Sequence, residues 1–223
     1  MAEDVDRTQG QTARASYDRM SKVYGWLSDS SERRFVEDAI DGLLKPQPGE
    51  HILEPGFGAG QVLVALAELV GPSGRVYGID ISDGMVAEAT KRAEKHGVAD
   101  LVDIRQGDAA AMPYADASFD AVFMSFALEL FGDEEIPRVL GEVHRVLKPG
   151  GRLCVACMSS HGGSTGMERL YAWAHDRFPS FVDCRPIDAS GWLSRNGFTV
   201  VEQRPLTMWG LAVDLVLARP ASA

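Results

Sequence analysis

Three glycines and three carboxylates are the residues of this chain whose types and spacing could do chemistry. The stretch Glu54-Pro55-Gly56-Phe57-Gly58-Ala59-Gly60 follows the apolar pair Ile52-Leu53 and precedes the apolar run Gln61 to Val70. Glycines between a strand and a helix let the backbone turn sharply and approach a ligand more closely than any Cβ permits. Asp80 stands 20 residues after Gly60, at the end of Arg75-Val76-Tyr77-Gly78-Ile79-Asp80. A carboxylate there can accept both hydroxyls of a ribose. Asp108 ends the next apolar run, Leu101 to Asp108, and is followed by Ala109. Ligands of an open parallel sheet lie beyond the carboxyl ends of its strands, so Glu54, Asp80 and Asp108 are expected to line one crevice. A nicotinamide-dependent reductase is disfavoured, because its glycines follow Gly-x-Gly-x-x-Gly where this chain has Gly-x-Gly-x-Gly, and because of the third acid.

The elements that must position these groups follow from periodicity. Short apolar runs alternate with helical patterns from His51 onward: HILE then QVLVALAELV, RVYGID then SDGMVAEATKRAEKH, LVDIRQGD, FDAVFMSF then DEEIPRVLGEVHRVLK, and GRLCVACM. That order predicts an α/β fold of βαβ units, with a mostly parallel sheet and helices on both faces. The helix expected over residues 133–148 puts Ile136, Val139, Leu140, Val143 and Leu147 on one stripe and stops at Lys148-Pro149-Gly150-Gly151. The chain ends with FTVVEQRPLT and GLAVDLVLAR, separated by Met208-Trp209. So short a link permits a hairpin but no parallel crossover, so the last strand is expected to run antiparallel to its predecessor. Residues 1–14 are polar and expected to be disordered, 15–45 to form one or two N-terminal helices, and 160–190 to form a lid within a single domain spanning 15–223.

Composition bounds the function classes. A chain of 223 residues with 45% hydrophobic content can bury a full core, and 22 basic against 32 acidic residues leave a net charge of −10. That balance argues against nucleic acid as a partner. The first residues lack the apolar core of a signal peptide, and no apolar run reaches the roughly 18 residues of a membrane helix. Three cysteines in such a chain suggest reduced thiols in a cytoplasmic setting.

Taken together, Glu54-x-Gly-x-Gly-x-Gly, Asp80-Ile81-Ser82-x-x-Met85, Gly107-Asp108-Ala109 with Met112-Pro113, Ser118-Phe119-Asp120, and Arg145-Val146-Leu147-Lys148-Pro149-Gly150-Gly151 resemble class I S-adenosylmethionine-dependent methyltransferases. The likeness is greatest to the branch of the ubiquinone and menaquinone biosynthesis methyltransferases. The resemblance implies a Rossmann-like seven-stranded sheet with an antiparallel last strand, S-adenosylmethionine as methyl donor and S-adenosylhomocysteine as product. By position it implies that the glycine turn approaches the methionyl part of the cofactor, with Glu54 reaching the amino group. Asp80 would hold the ribose, and Ile81 and Met85 would pack near the adenine. Asp108, beside Ala109, would meet the adenine amino group, and Ser125 and Phe126 would lie under the sulfonium. Tyr17 and Tyr24 match aromatic positions that close over the cofactor. Phe57 departs from the family pattern, where that position is small or polar. It either covers the helix start or walls the methyl-donor channel.

Methyl transfer from a sulfonium needs alignment and exclusion of water, and a base only where the nucleophile carries a proton. Glu129, after the fourth strand, and His161, after the fifth, are the candidates at the carboxyl edge, each with a plain alternative as a solvated helix start or a loop residue. Trp173, His175, Arg185, Met208 and Trp209 are candidate acceptor contacts, and the aromatic and sulfur residues Tyr171, Trp173, Phe178, Met208 and Trp209 point to a small apolar or aromatic acceptor. Arg185 could equally pair with a surface acid. A phospholipid headgroup methyltransferase, an arsenite methyltransferase and a non-catalytic module that binds the cofactor are alternatives. Arsenic chemistry is disfavoured because Cys154 and Cys157, three apart in a strand, point to opposite faces. No metal site is expected.

Overall fold

The computed structural model describes residues 32–161, 185–208 and 210–221. The disordered tail expected over 1–14, the lid residues 162–184, and Tyr17, Tyr24, Trp173, His175 and Trp209 lie outside the described residues.

Helix α1 covers 32–39 and runs into a π-helical turn, Ile40–Leu44, that Lys45 closes in the left-handed region. The sheet and its helices then follow as β1 (His51–Pro55), α2 (Gln61–Val70), β2 (Arg75–Asp80), α3 (Asp83–His96), β3 (Val102–Gln106), β4 (Phe119–Ser125), α4 (Ile136–Val146), β5 (Leu147–Met158), α5 (Ala189–Arg195), β6 (Phe198–Met208) and β7 (Leu211–Pro220). The seven strands lie in the order β3-β2-β1-β4-β5-β7-β6. Strands β1 to β5 pair in parallel, and β7 slots between β5 and β6, antiparallel to both. The expected Rossmann-like architecture and the reversed last strand are both present.

Alternation of side chains along each strand divides the core into two layers. On one face, Ile52, Phe123, Cys154 and Ala156 pack with Phe35, Leu43, Leu63, Leu66 and Ala89 from the helical segments α1, α2 and α3. On the other face, Leu53, Val122, Val155 and Cys157 pack with Ile136, Val139, Leu140, Val143 and Leu193 from α4 and α5. Cys154 and Cys157 thus belong to opposite layers, and burial raises both thiols, Cys154 to about 12. The α4 stripe is the expected one, but the helix is shorter than 133–148, because Leu147 already pairs with Phe119 as the start of β5.

Local sequence sets the helix ends. Ser82 caps α3 by accepting from the Met85 amide, and Gly97 closes it in a left-handed conformation. Three ion pairs fix the motif at the end of α4: Arg145 holds Glu142 and Asp116 and donates to the carbonyls of Met112 and Tyr114, while Lys148 meets both oxygens of Asp120. Arg145 therefore anchors the loop that follows Asp108 and Ala109.

Candidate active site

The glycine turn extends β1 onto β2 before it reverses. The Gly56 amide donates to the Ile79 carbonyl at 2.8 Å, and Gly60 turns back to Phe57 at 3.1 Å. Gly56, Gly58 and Gly60 have φ of 70°, 54° and 80°, a region that side chains with a Cβ rarely adopt. Close packing adds a second requirement at two of them. A Cβ on Gly60 would lie 2.9 Å from the Ala89 backbone, and one on Gly56 would lie 2.8 Å from the Ala127 Cβ. Gly58 differs, since a Cβ there would meet nothing within 4 Å, so the turn is open at its middle. From α3, Arg92 donates to the Ala59 carbonyl at 2.9 Å and steadies the turn.

Two carboxylates stand over this turn. Glu54 is 1% exposed, and its Oε2 has no hydrogen-bond partner among the described residues. Burial, and then the Asp80 charge, push its pKa well above the ordinary carboxylate range. Asp80 accepts from the Gly58 amide at 3.0 Å and from the Ser82 amide at 2.9 Å. Burial raises Asp80 as well, against the lowering effect of these backbone donors. Beside it Ile81 is 59% exposed, while Met85 is buried. Asp108 is exposed and accepts from the Ala110 amide at 2.7 Å, with Ala109 buried below. Its strand places it next to Asp80, because the Gly107 amide donates to the Asp80 carbonyl. The three acids expected in one crevice therefore stand at one edge of β1, β2 and β3.

Phe57 goes inward. Its ring is 4% exposed and lies against Gly78 of β2, where even a Cβ would meet the ring at 2.7 Å, and near Leu63 of α2. The missing side chain at Gly78 makes room for the bulky one at Phe57. The ring packs under the helix start.

The β4 end forms the other half of the edge. Ser125 is half-buried, and Phe126 has φ of 49°, an outlier for a bulky residue, held by its amide donating to the Ala156 carbonyl at 2.7 Å. A short 3-10 turn, Leu128–Leu130, carries Glu129. The solvated helix start weighed for Glu129 is corrected here: the side chain is 1% exposed, Oε1 accepts from the Met158 amide at 3.0 Å, and Oε2 has no partner among the described residues. Desolvation raises its pKa to about 8.

His161 is 53% exposed and lies 3.8 Å from Asp214 and 3.6 Å from Asp188. Asp214 and Ser159 were not singled out from sequence. Asp214 is buried within β7 and accepts from the Ser159 hydroxyl at 2.5 Å, and the same hydroxyl oxygen accepts from the His161 amide. A lone aspartate inside the apolar run AVDLVLAR was the available signal. Arg185 has the surface pairing weighed for it, with Asp133 at 2.5 Å and the Phe131 carbonyl at 3.0 Å. Met208 is buried in the core layer that contains Phe126 and Met158.

S-adenosylmethionine carries an ammonium, ribose hydroxyls and an adenine, and the β1-to-β3 edge offers a group to each of these. A buried carboxylate with an orphan oxygen suits a cation, Asp80 keeps lone pairs free beyond its two backbone donors, and Ile81 supplies an exposed apolar surface. The open centre of the turn at Gly58 leaves room for the ligand to approach the backbone.

Comparison with known proteins agrees. Residues 52–151 match the model of a methyltransferase domain. The chain is 34% identical over 184 residues to a demethylmenaquinone methyltransferase of Alkalihalophilus pseudofirmus, covering 81% of this chain and 74% of the relative. It is 41% identical over 106 residues to the demethylmenaquinone methyltransferase of Symbiobacterium thermophilum, covering 48% of this chain and 41% of that relative, so this match spans under half of the relative's length. A solved S-adenosylmethionine-dependent methyltransferase from Aquifex aeolicus shares the fold, with a TM-score of 0.61 at 23% identity over 84% of this chain and 88% of the other. With motifs, topology and relatives in agreement, the chain belongs to the class I S-adenosylmethionine-dependent methyltransferases, close to the ubiquinone and menaquinone biosynthesis branch, and its cofactor is S-adenosylmethionine.

Proposed function

We propose that this protein transfers a methyl group from S-adenosylmethionine to a small apolar or aromatic acceptor that bears a hydroxyl, of the quinol or phenol kind. The observation that carries the transfer reading is the buried, unpartnered Glu54 oxygen above three left-handed glycines, next to Asp80 at the carboxyl edge of a parallel sheet. The cofactor supplies an electrophilic methyl group. Glu54 and Asp80 hold its ammonium and ribose ends, Ile81, Met85, Asp108 and Ala109 border the adenine, and Ser125 with Phe126 floors the reacting end. Holding donor and acceptor in line while excluding water is the main catalytic contribution.

The acceptor class draws support from two sources. The relatives are named for quinone precursors, and the acceptor side of the edge is apolar apart from acids. Asp214 and Asp188 disfavour an anionic acceptor on that side. We place the reaction in the cytoplasm, with no nucleic acid partner, on the net charge and the sparse cysteines. Among the described residues, no helix is long and apolar enough to cross a membrane, and no cluster could hold a metal ion.

Incubation with methyl-labelled cofactor and fractionated metabolites tests this reading. Label should pass to an aromatic hydroxyl compound. Cofactor binding with no labelled product from any fraction would instead identify a non-catalytic binding module, and thermal stabilisation by a nicotinamide dinucleotide alone would overturn the cofactor assignment.

A further inference from the structure

The acceptor side holds a buried acid whose second oxygen is left over. Glu129 follows β4 by way of Phe126, in its left-handed conformation, and Ala127, whose Cβ closes against Gly56 of the glycine turn. The segment that carries Glu129 is thus packed directly on the cofactor cradle, two residues from the contact. Oε1 is occupied by the Met158 amide, whereas Oε2 has neither solvent nor a partner among the described residues. A buried polar atom with no partner costs stability, and such atoms are rare in folded proteins unless a ligand or function requires them. Among the described residues, the titratable groups that act on it or on Cys157 of β5 are Glu32 at the start of α1, Asp214 and Asp188, and the His161 ring lies against the last two. Glu32, Cys157, Asp188 and Asp214 are acids that offer the free oxygen no positive charge, and the His161 ring nitrogens are paired with Asp188 and Asp214.

We propose that Glu129 is the catalytic base, receiving through Oε2 the hydroxyl proton of the methyl acceptor. This rests on the methyltransferase reading above and deepens it. As the acceptor's O–H bond breaks, the proton passes to Glu129, and the electron pair left on the acceptor forms the new bond to the methyl carbon. The carbon–sulfur bond breaks with its pair staying on sulfur, which becomes a neutral thioether. The cationic donor's charge is thereby replaced by one proton on Glu129, and the proton returns to water as product leaves.

The match of basicities supports the assignment. A phenol titrates near 10, so an ordinary carboxylate near 4 would be about six pH units too weak to accept its proton, whereas Glu129 at about 8 falls short by about two. The exposed His161 is the competing acceptor. It has two carboxylates within 4 Å of its ring nitrogens.

The test uses the full chain with methyl-labelled S-adenosylmethionine and two probes, 1-naphthol and a short-chain reduced naphthoquinone. The wild-type kcat/KM should climb about tenfold per pH unit and level off above about pH 8. Glu129→Gln preserves the bond from the Met158 amide, and it should lose roughly 100-fold or more in kcat. It should also lose the climb toward pH 8, with the affinity for S-adenosylhomocysteine unchanged. A merely structural role would move melting temperature and cofactor affinity together and leave the pH profile in place, which would overturn the proposal. So would retained activity in Glu129→Gln alongside its loss in His161→Gln. Cofactor binding without label on either probe overturns the acceptor class and the base with it, and absence of cofactor binding overturns the methyltransferase reading itself.

Discussion

Two buried glutamates stand at the carboxyl edge of the sheet, each with one oxygen left without a partner among the described residues, and their surroundings prepare them for opposite ligands. Glu54 stands near the end of β1, where burial and then the charge of a second carboxylate, Asp80, make it harder to ionise. The pair relaxes when a cation arrives. Glu129 follows β4 with a backbone amide on one oxygen and apolar surroundings, and desolvation alone dominates its raised pKa. It relaxes when a proton arrives. One residue type at one edge can thus serve as a seat for fixed positive charge or as a proton acceptor, depending on how its burial combines with the donors and charges beside it.

The difference can be broken from the β1 side first. Phe57 packs against Gly78 beneath the Glu54 turn, so Phe57→Ala should cost about 3–5 kcal/mol of folding stability, measured by chemical denaturation. Loss of cofactor affinity without loss of stability would return the ring to the donor channel.

The next largest effect concerns Glu129 alone. The fold holds this acid protonated, so its contribution to stability is complete below its unfolded value near 4.5 and is lost as pH rises to about 8. Between pH 5 and pH 9, Glu129→Gln should therefore gain on the parent by roughly 4 kcal/mol at most. Parallel denaturation curves with a constant difference would show that the acid is better solvated than its burial implies.

Glu54→Gln sharpens the contrast. It removes the charge offered to the cofactor's ammonium and should weaken S-adenosylhomocysteine binding by about 100-fold, within the range of a hydrogen bond to a charged group. The free protein should melt no lower, because a buried charge next to Asp80 has gone. Equal affinities by calorimetry would remove Glu54 from the cofactor seat. The smallest expected effect is on His161: the ring is half-exposed, and His161→Gln should shift folding stability by less than about 0.5 kcal/mol.

Much of this protein was legible as sequence. Alternating apolar runs gave the α/β order, and the short link at Met208 forced a reversed last strand, because two residues cannot carry a parallel crossover. The glycine turn was legible because glycine adopts at little cost the left-handed backbone that Gly56, Gly58 and Gly60 share, and three such residues at alternate positions demand it. The separation of Cys154 and Cys157 followed from the two-residue period of a strand. All of these are set by neighbours along the chain.

Other features depended on partners distant along it. Phe57 turns inward because Gly78, on the next strand, leaves a space for its ring. Glu129 is buried against the end of β5, where the Met158 amide, 29 residues on, donates to it, and Asp214 is held by Ser159 across 55 residues. Solvent exposure decides whether a glutamate is a surface charge or a base near pH 8, and exposure belongs to no local stretch. The sequence by itself determined which groups stand at the carboxyl edge, because backbone periodicity and turn geometry are local. Tertiary structure decided what those groups are chemically, because desolvation is set by everything packed around them.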